Sequence, residues 1–451
     1  MPWRDPFIPN LPGPVFHEPI FGETEQLPDP NGFSTEHPSD NEVYKEIEKL
    51  LTKEVVAIPP SRMAPDAVFP LADAYGSHGP LVNKKIEDAG KIIFHALGDS
   101  GASNVRKYAD ELHVADQVTL DANSASDGNQ PAFLFHLGDV VYNFGEAKYY
   151  YDQFYDPFRN YPAPIFAIPG NHDSFVVPGT PEGEEPLAIF QRNFCAHERA
   201  ITREAGSLHR TAMVQPGVYF SVDAPFVRII GLFSNALEDP GVISNLENKW
   251  DAVSDVQIKF LHAQLKKIKD ENYKGAVLIA THHPPFSYSP HHAGSGTGGN
   301  HGSSTAMLKQ IDKVCHDEGV YPPAFLSAHA HNYQRYTRIM EFGGKDIDVP
   351  FIVCGDGGHN VNPLVRASRG HRAEEPHAGT DVTYLEGKRH PAFVKQLLLE
   401  KYDDQNYGYL RIHVDEEELK IGFHQVGVRT LAQSRYDMVT VNLTSHEMVA
   451  N

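Results

Sequence analysis

The sequence predicts an α/β fold, and three observations carry that prediction. Short apolar runs recur with helical stretches between them, which is the pattern of buried strands alternating with helices. The C-terminal part turns to runs that read as antiparallel strands around an acidic turn. A chain of 451 residues with 41% hydrophobic content is long enough to bury a large core.

The elements follow in order. Residues 1–88 are rich in proline and poor in strand runs, and read as an arm with one short amphipathic helix at Glu42–Leu51, preceded by the capping residues Ser39 and Asp40. Residues 89–445 read as the main domain. Its apolar runs are KIIFHAL, AFLFHL, IFAI, VRIIGLF, AVLIA, AFLS and FIVC, with a helix at Val256–Lys269 among them. YGYLRIHV, LKIGFHQV and DMVTVNL then close the domain as strands. There is no internal repeat.

The 39 basic and 59 acidic residues leave a net charge of −20, a field that repels nucleic acid and anionic membranes. The same field opposes small anionic ligands, so an anion site here needs concentrated local positive charge, which bound metal ions supply. Twenty-five histidines fit that need. Three scattered cysteines, Cys195, Cys315 and Cys354, make no disulfide framework and suit a reducing compartment. The start MPWRDPFIPN lacks the pattern of a secretory signal and no run reaches the length of a membrane span, so the expectation is a cytoplasmic protein, or a secreted one whose signal has been removed.

Five of the apolar runs end in polar clusters: Gly98-Asp99-Ser100-Gly101, Gly138-Asp139-Val140-Val141-Tyr142, Gly170-Asn171-His172-Asp173, Thr281-His282-His283-Pro284 and Ala328-His329-Ala330-His331. Each alone is a common turn or cap. In open α/β sheets, however, ligands bind at the carboxyl ends of strands, where such clusters can converge. Carboxylate, imidazole and amide oxygen together make a donor set for hard or borderline cations such as iron, zinc and manganese. Two metals suit it better than one, because a shared carboxylate can bridge a pair about 3.5–4 Å apart that clamps both oxygens of a phosphoryl displacement.

The order GDxG, GDxxY, GNHD, THHPP and AHAH resembles the calcineurin-like metallophosphoesterases, and within them the purple acid phosphatases, over about Lys91–Leu443. The resemblance implies a four-layer α/β/β/α sandwich with two mixed sheets. It also implies a binuclear phosphoric monoester hydrolase acting on a small phosphate ester, with in-line attack by a metal-bridging hydroxide. Carried over by motif, one metal takes Asp99, Asp139, Tyr142 and His331, and the other Asp139, Asn171, His282 and His329. The wider family places His two residues after the first Asp, where this chain has Gly101; Tyr142 replaces that ligand, as in purple acid phosphatases. A phenolate favours Fe(III), which gives an expected cofactor of Fe(III) plus a divalent Fe, Zn or Mn ion. The trivalent ion leaves the site roughly one positive charge where two divalent ions leave about none. The plainer reading is that Tyr142 packs in the core. Two positions depart from the family pattern, Ala328 for a usual Gly and Asp173 for the Glu more frequent in purple acid phosphatases.

By the same resemblance His172 faces the phosphate, as a donor to its oxygen or as the acid for the leaving group. His291 and His292 stand nine and ten residues past His282, where related plant enzymes place a His pair over the substrate, and the Gly-rich stretch around them reads as a lid. His283 is expected to point away from the metals. His95 and His136 lie inside strand runs and read as hydrogen-bonded core residues. Asp356 and His359 resemble a family segment that braces the His329–His331 loop. The runner-up function is a phosphodiesterase for cyclic nucleotides or glycerophosphodiesters, and a third reading is a binding scaffold of the same shape.

Overall fold

A computed structural model describes residues 55–63, 66–175, 185–206, 211–245, 249–289, 301–365, 375–387, 391–427 and 434–449. The helix expected at Glu42–Leu51 and the pair His291 and His292 lie outside them. The strands in chain order are β1 (Val68–Pro70), β2 (Lys91–Leu97), β3 (Leu134–His136), β4 (Ile165–Ala167), β5 (Phe220–Ala224), β6 (Val227–Leu232), β7 (Ala276–Thr281) and β8 (Ala324–Ser327). They continue with β9 (Tyr333–Phe342), β10 (Lys345–Cys354), β11 (Thr380–Asp381), β12 (Val394–Asp403), β13 (Gly408–Asp415), β14 (Glu418–Gln425), β15 (Arg435–Asn442) and β16 (Met448–Val449).

These strands form two mixed sheets. The nine-stranded sheet runs β1-β5-β6-β7-β8-β10-β9-β12-β11, with β6, β7, β8 and β10 parallel, and the seven-stranded sheet runs β16-β15-β14-β13-β2-β3-β4, with β2, β3 and β4 parallel. Residues 55–88 contribute to the body as well: β1 pairs in parallel with β5.

Alternation along the central strands assigns the layers, because successive side chains point to opposite faces. Phe94, Phe135, Phe166, Ile229 and Leu278 meet in one buried cluster drawn from both sheets, while their neighbours Leu134, Ile165, Ile230 and Ile279 join a second cluster with helix residues. The first cluster is the layer between the sheets, where Phe69 of one sheet meets Phe166 of the other edge-on at 5.6 Å. Helices cover the outer faces. The helix Val105–Ser124 is capped by the Asn104 side chain, which accepts from Lys107 N at 3.1 Å. It buries Val114, Ala115, Val118 and Ala122, a stripe at helical spacing. The helix expected from Val256 runs Val256–Asp270 and packs beside Thr305–Glu318. His95 and His136 are core residues: His95 Nε2 lies 2.9 Å from Asp121 Oδ2, and His136 Nε2 lies 2.9 Å from Ser100 Oγ. All three cysteines are buried and free of disulfides. Among the described residues no helix is long and apolar enough to cross a membrane.

Candidate metal centre

Parallel direction places the carboxyl ends of β2, β3 and β4 at one edge of their sheet and those of β7 and β8 at one edge of the other, and the five polar clusters follow those ends. The turns that aim them are tight. Asp99, Asp139 and His329 adopt φ of 54°, 56° and 66°, a left-handed region that costs a side-chain-bearing residue about 1–2 kcal/mol. Strain of this kind persists where the surroundings fix it and gathers at functional sites. Two glycines allow the close approach. A Cβ on Gly170 would stand 2.1 Å from Asp139 Oδ1, and one on Gly138 would stand 2.7 Å from His282 Nδ1.

Around Asn171 four donor atoms converge. His282 Nε2 is 2.9 Å from Asn171 Oδ1 and 3.4 Å from Asp139 Oδ2, and His329 Nδ1 is 3.1 Å from the same Asn171 oxygen. His282 Nδ1 lies 2.9 Å from the Leu137 carbonyl, which only accepts, so the ring proton sits there and the Nε2 lone pair faces two oxygens. Lone pairs opposed in this way repel unless a proton or a cation lies between them. Asp139 Oδ2 and Asn171 Nδ2 are buried without a hydrogen-bond partner. Asp139, His282 and His329 each present a ligand atom within 4.8 Å of the others. The residues present therefore fit a metal ion.

The remaining expected ligands lie beside it. Tyr142 Oη is 3.0 Å from Asp99 Oδ1 and 3.2 Å from His331 Nε2, and His331 Nε2 is 3.4 Å from Asp99 Oδ1. Asn360 and Asn362 hold the far nitrogen of His331 at 2.8 and 3.3 Å. His359 stacks on the Tyr142 ring at 3.5 Å, and His172 lies against it at 4.2 Å. Gln153 fixes the Tyr142 backbone on both sides, accepting from its N–H at 2.8 Å and donating to its carbonyl at 2.9 Å. Gly101 is tight for the same reason: a Cβ there would meet Val140 O at 2.5 Å and Gln153 Oε1 at 2.7 Å. Ala328, the departure from the family's usual Gly, seats its Cβ against Gly98, where a second Cβ would approach to 2.4 Å.

Electrostatics follow from burial. Burial pushes His329 and His283 well below the ordinary imidazole range, so both are neutral, as a ligating ring must be. His282 goes the other way: burial opposes it, but Asp139 and Asp99 carry it up to about 9, so proton and cation compete for its Nε2. Burial, Asp139 and Asp99 push the Tyr142 phenol well up, and a strong Lewis acid is needed to displace its proton.

The structure thus brings Asp99, Asp139, Tyr142, Asn171, His282, His329 and His331 together, with His172 at their edge, 3.9 Å from Asp139 Oδ2 through Nε2. His283 turns aside to Ser234 Oγ at 2.9 Å. His359 braces Tyr142, and the amides of Asn360 and Asn362, rather than Asp356, hold the His331 ring. Sequence reasoning passed over Gln153, Asn360 and Asn362. Nothing local marks Gln153, whereas the two asparagines sit just past the CGDGGH segment and were within reach of the same resemblance.

Residues 94–333 match the calcineurin-like phosphoesterase family, more than half of the chain. No curated protein matches the sequence. Among solved structures the chain is similar to PhoD, at 10% identity and a TM-score of 0.45 over 80% of this chain and 71% of that one. It is also similar to GAP50, described as the anchor in the inner membrane complex of Plasmodium, at 9% identity and a TM-score of 0.41, covering 75% of this chain and 90% of that one. An uncharacterised protein from Streptococcus pneumoniae TIGR4, described as a predicted phosphoesterase, is similar at 10% identity and a TM-score of 0.26, covering 78% of this chain and 98% of that one.

Proposed function

This chain belongs to the calcineurin-like phosphoesterase family, which hydrolyses phosphate esters with metal ions, and from that premise we propose that it is a binuclear phosphoric monoester hydrolase of the purple acid phosphatase kind. The observation that carries the reading is the pairing of Tyr142 with Gly101. The phenol stands 3.0 Å from Asp99 Oδ1 and 3.2 Å from His331 Nε2, and the Gly101 loop is closed against Val140 and Gln153 where the wider family would place a His. Asp99, Asp139, Tyr142 and His331 would hold one ion, Fe(III), and Asp139, Asn171, His282 and His329 a divalent Fe, Zn or Mn ion. When bound, such ions supply Lewis acidity that neutralises phosphoryl oxygens and makes water acidic enough to serve as a nucleophile at mild pH.

The remaining work falls to the chain. His172 Nδ1 donates to the Asn143 carbonyl at 2.9 Å, which aims Nε2 into the centre as a donor to a phosphate oxygen or an acid for the leaving group. The Asp173 carboxylate accepts from Val140, Val141 and Gly170 N–H groups at 2.9–3.1 Å and so locks the two loops that carry Asp139 and Asn171. His291 and His292, which lie outside the described residues, complete the proposal as phosphate contacts.

Metal analysis, the visible spectrum and a pair of substrates test this together. Iron with a second metal, a broad visible band lost in Tyr142→Phe, and faster cleavage of p-nitrophenyl phosphate than of its bis ester are expected. A colourless, fully active protein containing only divalent ions would overturn the Fe(III) site, and preference for the bis ester would make it a diesterase.

A further inference from the structure

Beside the centre lies a second group of donors that the binuclear reading leaves unused. Glu238 and Asp239 follow β6, His301 precedes the helix Thr305–Glu318, and all three are half-buried around the outer edge of the His329 ring. Glu238, His301 and His329 each present a ligand atom within 4.8 Å of the others. Asp239 stands beside them, with Oδ1 3.3 Å from His329 Nε2 and Oδ2 3.9 Å from His301 Nδ1.

The decisive atom is His329 Nε2. Its residue is only 2% exposed, its other nitrogen faces Asn171, and Nε2 has no hydrogen-bond partner although Asp239 Oδ1, also unpartnered, lies in front of it. A carboxylate that merely accepted the ring proton would be expected near 2.9 Å and in line. The observed 3.3 Å is instead about the edge of a tetrahedron whose corners stand about 2.0 Å from a central ion. The loops are also tied together before any ion binds. Gly302 N donates to Asp239 Oδ2, Gly241 N donates to Ser304 Oγ at 2.9 Å, and Ser304 N donates to the Pro284 carbonyl at 3.0 Å.

We propose that Glu238, Asp239, His301 and His329 form a third cation site for a divalent transition ion such as Zn²⁺ or Mn²⁺, joined to the binuclear centre through the His329 imidazole. Two carboxylates balance the charge of a dication, and two imidazoles with two carboxylates are a donor set that zinc and manganese accept. His329 then ligates through both ring nitrogens, and its ring proton leaves to solvent as the ion enters.

The inference rests on His329 being a ligand of the binuclear centre. The 451-residue chain is stripped with a chelator, reloaded with iron, equilibrated with excess Zn²⁺, desalted and counted for bound iron and zinc together. Three ions per chain are expected in the wild type and two in Asp239→Asn and in Glu238→Gln, each retaining the wild-type circular dichroism. Two ions in the wild type would leave Asp239 as a carboxylate that orients His329 and would overturn the third site while sparing the binuclear reading. Fewer than two overturns both. Three ions in both variants places the extra ion elsewhere, and a fall below two in both assigns the loop to the binuclear centre itself; either result overturns the proposal.

Discussion

His172 is anchored at one end and turns the other toward Asp139. With Nδ1–H on the Asn143 carbonyl, the working atom is Nε2. Burial holds the imidazole below its ordinary range against the pull of Asp139, so the neutral ring is the resting form near neutrality and donation from Nε2 calls for acid pH. Its ring packs on Tyr142 and its Nε2 stands 3.9 Å from Asp139 Oδ2, beyond hydrogen-bond reach, so its removal should separate chemistry from metal binding. For His172→Ala, kcat at acid pH is expected to fall ~100-fold, the usual cost of a lost transition-state donor, with metal content unchanged. Steady-state kinetics beside metal analysis check this, and wild-type turnover would leave His172 a structural role.

Loops after β2, β3 and β4 meet so closely that glycine is required at their contacts. The Gly101 loop rests on the Val140 carbonyl, and Gln153 holds the other side of that loop through the Tyr142 backbone. Gly101→Ala should therefore force the two loops apart, at about 1–3 kcal/mol for overpacking. Its melting temperature should drop, and with it the retention of the ion proposed at Tyr142; an unchanged melting temperature would show that the loops yield. This element level also explains what was legible in the sequence. Strand runs and the clusters ending them are local, so Asp99, Asp139, Tyr142, Asn171, His282, His329 and His331 could be picked out in order. The braces are single residues whose role exists only after folding: Gln153 lies in a turn of irregular helix at Tyr151–Tyr155, and Asp239 in a loop with no motif. The placing of β10 between β8 and β9 was equally hidden, because strand order depends on partners far along the chain.

Across the whole molecule, one buried ionic network fastens the helix Val105–Ser124 to the seven-stranded sheet. Asp121 on the helix lies 2.9 Å from His95 Nε2 on β2 and 2.8 Å from Arg411 Nη1 on β13. Burial alone would raise the Asp121 carboxyl, but His95 and the Arg411 guanidinium outweigh it and hold it at about 2. A carboxylate depressed in the folded state stabilises it above the unfolded value, and that gain is lost as pH falls through the folded one. Asp121→Asn should thus cost about 2 kcal/mol at pH 7. Denaturant melts of wild type and variant should differ by a constant amount down to about pH 4 and converge toward about pH 2; a gap that persists at the acid end would remove Asp121 from acid stability. The division of the proposed ligands between the two sheets has a different kind of consequence. Asp99, Asp139, Tyr142 and Asn171 follow strands of one sheet, and His282, His329 and His331 follow strands of the other. Neither half can assemble the centre alone, so during renaturation the return of catalysis would work as a clock, striking only when the halves have docked, however much secondary structure had already appeared.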